Sequence, residues 1–130
     1  MTPATPQRSS RDAVAGPFYT AAKVRELLGG VSQQTIDARV ARHTLFALTT
    51  ADGVRVFPTF QFDARDVPLV GLAELLDILA SSVDEWMLAS WVSQPNPELG
   101  GQSPIGWLRT RPGDPRLLVV ARSAAAAWEQ

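Results

Sequence analysis

The chain has no cysteine, so neither a disulfide framework nor a thiolate metal site is open to it. Its single histidine, His43, would leave a zinc centre dependent on carboxylates, and no suitable carboxylate spacing is present. A hydrolytic triad would have one possible base and no nucleophile motif around any serine, and no glycine-rich phosphate loop occurs. The expectation is a protein that is not an enzyme and needs no cofactor. Long apolar runs are missing too. None approaches the roughly 20 residues that cross a bilayer, and residues 1–16 lack the apolar centre of a secretory signal, which makes a cytoplasmic location the expectation. Lysine is scarce: of 12 basic residues only Lys23 is not arginine, a bias typical of GC-rich bacterial coding.

What is present is 130 residues with 45% hydrophobic content, enough for one sizeable core or two small ones. The net charge of -1 conceals an asymmetry, because residues 1–65 hold 8 basic against 5 acidic side chains and the remainder 4 against 8. A basic half followed by an acidic half suggests a module facing a polyanion joined to something else.

Residues 1–16 read as a mobile arm whose Arg8 and Arg11 could touch phosphates, and order is expected from Phe18 and Tyr19. Thr20 can cap a helix that buries Ala21, Val24 and Leu28 and stops at Gly29-Gly30. Ser32 can cap a second, running to Thr44, with Val31 packing on Ile36 as a hydrophobic staple. At 100° per residue Ile36, Val40 and His43 fall on the buried side, while Gln34, Ala38 and Ala41 point outward. His43 is thus expected to be packed or hydrogen-bonded rather than a catalytic base. Two β-prone runs, 45–50 and 54–57, flank Asp52-Gly53 and predict a tight hairpin, and 57–62 reads as an extended aromatic segment fastening it to the core.

This order predicts a winged helix-turn-helix over 17–63, with the helix from Ser32 presented to double-stranded DNA. Gln33, Gln34 and Thr35 lie in the first turn, where base edges are met, and Gln34 can pair bidentately with adenine. Arg39, Arg42 and the wing residue Arg55 suit phosphate or guanine, and Lys23 and Arg25 suit the DNA backbone. The competing reading is a merely polar helix face, with Asp37 opposing phosphate.

Beyond Asp63 the period becomes helical. Leu69, Leu72, Leu75, Leu76 and Leu79 form one apolar face, and Ser82 to Glu85 reads as a capping box opening a helix from Val83 to about Ser93. That helix is apolar nearly all round through Trp86, Met87, Leu88, Trp91 and Val92, so it must be buried or meet a partner. Ser103-Pro104 and Asp114-Pro115 start two more, the last with Leu117, Val120, Ala121, Ala124 and Trp128 on one side. The tryptophans fit either core anchors or interface residues. The fold class expected is mainly α with a small β-hairpin wing, comprising an arm (1–16), a winged helix-turn-helix (17–63) and a C-terminal helical domain (64–130).

The run from Trp91 to Leu108 holds a tryptophan-bearing helix end, a Pro95-Asn96-Pro97 break, a Leu99-Gly100-Gly101 turn and a helix opened by Ser103-Pro104. It resembles the toxin-binding domain of Xre/MbcA/ParS-type antitoxins over about residues 66–130. The segment 57–62 resembles the linker upstream of that domain, whereas 19–62 looks more like a MerR or excisionase winged helix than the longer Xre-like bundle. The resemblance implies a type II antitoxin that neutralises an NAD-consuming RES-domain toxin and represses its own operon. It also implies toxin contacts at Trp91, Asn96, Arg122, Trp128, Glu129 and Gln130, the final segment acting as contact or plug. A homodimer is expected, bound to the nucleoid at its operator. The alternative is a stand-alone transcriptional regulator whose C-terminal helices only dimerise.

Overall fold

The computed structural model describes residues 16–129. The arm expected over 1–16, with Arg8 and Arg11, falls outside these except for Gly16, and Gln130 lies outside them as well. Among the described residues the chain is mainly α-helical, with six α-helices and a three-stranded antiparallel sheet in the order β1-β3-β2.

Strand β1 (Phe18–Thr20) was not foreseen; it pairs with β3 (Arg55–Pro58) so that Tyr19 faces Phe57. It runs directly into α1 (Ala21–Leu27), because the Thr20 hydroxyl accepts from Lys23 N at 3.1 Å and caps the first turn. Gly29 and Gly30, both at positive φ, end α1 through bonds from Gly29 N to Glu26 O and from Gly30 N to Arg25 O.

Helix α2 (Gln33–Ala41) begins where Ser32 predicts, with its hydroxyl accepting from Thr35 N at 3.2 Å. It ends earlier than Thr44. His43 takes the left-handed conformation at φ 62°, His43 N donates to Val40 O and Thr44 N to Arg39 O, which is the same paired-bond stop that the glycines make in α1. His43 therefore lies beyond the helix and not on its core side. It is half-exposed, with Nδ1 2.6 Å from Asp77 Oδ1.

From Leu45 the side chains alternate between two cores. Leu45 and Ala47 join Val24, Ile36, Phe57 and Phe62 beneath α1 and α2, whereas Phe46 and Leu48 join the C-terminal helices. Strand β2 (Leu48–Thr49) and β3 are linked through Ala51, Asp52 and Gly53, with Thr50 N donating to Val54 O at 2.8 Å and Gly53 at φ 84°. The Asp-Gly pair supplies the left-handed residue that such a loop requires. Segment 57–62 is not extended throughout: a 3-10 turn at Thr59–Gln61 sends Phe60 to the second core, where it stacks on Phe46, and returns Phe62 to the first.

The second core is built by α3 (Leu72–Leu79), α4 (Glu85–Ser93), α5 (Pro104–Thr110) and α6 (Arg116–Trp128). Leu72, Leu75, Leu76 and Leu79 are buried, as their spacing requires. Helix α4 opens at Glu85 rather than Val83. Its cap is Asp84, which accepts from Met87 N at 2.8 Å, and the Ser82 hydroxyl donates instead to Glu129 Oε2. Asp114 Oδ1 accepts from Arg116 N and sets the start of α6, which buries Leu117, Val120, Ala121 and Ala125. No helix among the described residues is long and apolar enough to cross a membrane.

Candidate nucleic-acid interface

Helix α2 is seated on the first core by Ile36, which is fully buried and contributes about 2 kcal/mol by leaving water. Val31 and Val40 pack beside it half-buried. This seating leaves Gln34 and Ala41 exposed opposite Ile36, with Gln33, Asp37 and Arg42 exposed on the flanks, while Ala38 is half-buried. The turn before α2 is held by Arg25, whose Nε donates to Val31 O at 3.0 Å. Arg25 thus braces the turn, and Thr35 is engaged with Ser32 through their hydroxyls.

The cations differ in how free they are. Lys23 lies 3.5 Å from Glu26, and Arg55 reaches from β3 to Asp37 Oδ1 at 2.9 Å. Gln33 Nε2 donates to the same Oδ1 at 3.0 Å. No ion pair among the described residues engages Arg39 or Arg42. Arg39 and Arg42 thus carry positive charge at the C-terminal end of α2 with no acidic partner among the described residues, and Gln34 projects from its first turn with no partner among them either.

The helical body holds this unit by polar groups that single-sequence patterns do not reveal. Both backbone groups of Thr49 on the edge strand are taken by α4: Thr49 N donates to Glu85 Oε2 at 2.6 Å, and Trp86 Nε1 donates to Thr49 O at 3.2 Å. Paired in this way, the edge is closed to other strands. His43 and Asp77 tie the end of α2 to α3. Tyr19 donates its hydroxyl to Asp66 Oδ1 at 2.9 Å; this bond, then desolvation and the adjacent carboxylate charge, push the phenol above its usual range. A cleft of about 190 Å³ remains at the junction, between Val40, His43 and Leu45 on one side and Leu76, Val83 and Leu88 on the other.

In the C-terminal half, Trp91 and Trp128 meet edge to face with centroids 6.0 Å apart, and both pack on the second core. Glu129 accepts from Ser82 beside them. Asn96 Oδ1 accepts from Glu98 N at 2.9 Å and caps the turn at Pro97–Leu99. Arg122 is exposed on α6, outside this group. The structure thus brings Trp91, Trp128 and Glu129 together by packing, while Asn96 and Arg122 stand apart. Trp107 is buried with the Arg111 guanidinium 4.4 Å from its ring centre, a cation-π contact that spacing alone did not suggest. Among the described residues no group of three or more His, Cys, Asp or Glu side chains could hold a metal ion.

No protein-family model and no curated protein matches the chain. The fold is similar to the NMR structure of Rv2175c, with a TM-score of 0.59 and 22% identity, covering 87% of this chain and 79% of that one. At that identity the likeness is one of fold.

Proposed function

We propose that the chain is a sequence-reading DNA-binding regulator, a winged helix-turn-helix that presents α2 to the major groove of an operator. The observation that carries the reading is the division of α2 itself. Its Ile36 side is buried in the first core, and its opposite side exposes Gln34, Ala41 and Arg42. Major-groove reading needs such a face: donors and acceptors in the first turn, small residues that permit close approach, and a cation for phosphate. The hairpin beside α2 is the wing, although its one arginine, Arg55, is engaged with Asp37. The test is a band-shift titration on the promoter upstream of the gene with a scrambled duplex as competitor. Preferential retardation of the promoter is expected, and equal competition by the scrambled duplex would remove sequence reading.

A second reading assigns the helical body to a RES-domain toxin, which would make the regulator an antitoxin. It rests on the resemblance in 91–108 and on α6, where Val119 is 59% exposed and Arg122, three residues on, shares the same side. Trp91, Asn96, Trp128 and Glu129 are engaged within the fold, which moves the contact expected from the final segment to this outer side. Co-expression with an adjacent toxin gene tests it: rescue of growth and co-purification are expected, and failure of both leaves a regulator without a toxin.

A further inference from the structure

Asp37 is the one carboxylate on the outward side of α2, and a carboxylate facing DNA repels phosphate unless a donor on a base meets it. Its surroundings give it a directed role. Oδ1 is occupied twice, by Gln33 Nε2 at 3.0 Å and by Arg55 Nη1 at 2.9 Å, and Oδ2 has no partner among the described residues. The side chains of Arg55 and Asp37 are 40% and 55% exposed, so the pair is wet and contributes little to stability. What it does is fix two long side chains side by side, with spare guanidinium N–H donors next to a spare carboxylate acceptor.

We propose that Arg55 and Asp37 together read one G·C base pair, with Arg55 donating to guanine O6 and N7 and Asp37 accepting from cytosine N4. This inference rests on the DNA-binding reading of α2 and names part of the sequence it recognises. In the major groove a G·C pair presents two acceptors on guanine followed by one donor on cytosine. An A·T pair interposes the adenine N6 donor and places the thymine O4 acceptor where the cytosine amine would be. The donor-then-acceptor order of the Arg55-Asp37 unit complements the first pattern and opposes the second. Gln33 holds the carboxylate from within α2, so the pair retains its order when one arm is disturbed.

Selection of bound duplexes from a randomised pool with the full chain, followed by affinity measurements on single-pair variants, tests the assignment. A position requiring G·C is expected in the selected set, with replacement by A·T weakening binding by roughly tenfold. Asp37→Ala and Arg55→Lys should each abolish the preference at that position and leave preferences elsewhere intact. A pair that served only as a brace would instead change affinity for all duplexes by a common factor. Urea titration of each variant separates folding from recognition, and Arg55→Lys preserves the charge if Asp37→Ala unfolds. Specific binding with no position dependent on both residues overturns this inference and leaves the DNA-binding reading standing. Absence of any sequence preference overturns both.

Discussion

Gln61 closes a ring with the backbone of Phe46: its Oε1 accepts from Phe46 N and its Nε2 donates to Phe46 O, each at 2.8 Å. The same nitrogen donates to Pro58 O at 3.0 Å, and no part of Gln61 reaches solvent. Phe46 is where the chain crosses between the two cores, so its backbone groups are buried without a strand neighbour to satisfy them.

Gln61→Leu fills the same space and leaves that backbone donor and acceptor unpaired. Each unsatisfied buried group costs on the order of 1–3 kcal/mol, so a total loss of about 3 kcal/mol is expected in urea unfolding. A loss below about 1 kcal/mol would mean that water or backbone movement replaces the amide.

Gln61 also marks the limit of what could be read from residue patterns. Local signals were legible: Thr20, Ser32, Ser103-Pro104 and Asp114 open helices as expected, and Asp52-Gly53 turns a hairpin. Choices settled by distant partners were not. Ser82 and Asp84 are equally good caps in isolation, and Ser82 is drawn away by Glu129, 47 residues along the chain. Asp37 reads as an obstacle to phosphate until Arg55, 18 residues on, is seen to occupy it. Strand β1 is too short for a period to declare itself, and it exists because β3 offers an edge.

The end of α2 yields a second prediction, since His43 occupies with a side chain the left-handed position that Gly29 fills in α1. Replacement by alanine removes the contact to Asp77 and retains the backbone strain, whereas glycine removes both. His43→Gly should accordingly be more stable than His43→Ala by about 1 kcal/mol in urea titration. The reverse order would place this residue outside the left-handed region.

Acid sensitivity is expected from the loop that follows Phe62. Asp63 Oδ1 accepts from Val67 N at 3.1 Å and from Arg65 N at 2.8 Å, and these bonds hold its carboxyl below the usual carboxylate range. A carboxyl depressed on folding stabilises the protein above its unfolded value of about 4, and that contribution is lost as pH falls through the folded value. The stability gap between the native chain and Asp63→Ala should therefore be widest near neutrality and narrow below about pH 4. A gap that widens on acidification would reverse the assigned direction.

Trp128 separates a packing role from a plug. Its edge-to-face contact with Trp91 predicts that Trp128→Ala costs about 2 kcal/mol, with a coupling of about 1 kcal/mol in a double-mutant cycle with Trp91→Ala. Circular dichroism is the suitable probe, because both substitutions alter the fluorescence. A freely projecting tryptophan would leave stability unchanged and show no coupling.

In the DNA-binding role proposed for α2, base reading and phosphate contact divide between Gln34 and Arg42. Gln34 has an amide with a donor and an acceptor and no partner among the described residues, so Gln34→Ala should change which bases are preferred and spare binding to unrelated duplexes. Arg42 carries a charge that no acid in the described fold neutralises. Its loss should weaken binding to every duplex and reduce the slope of log affinity against log salt by about one unit, the signature of one phosphate released. The Arg42 backbone N–H, which donates to Ala38 O, survives substitution by alanine, so the end of α2 remains intact in that comparison. If both variants bind the promoter as the native chain does, with unchanged preference and salt slope, α2 is not the element that meets DNA. The body that clamps it through His43-Asp77 and Thr49-Glu85 then becomes the place to look.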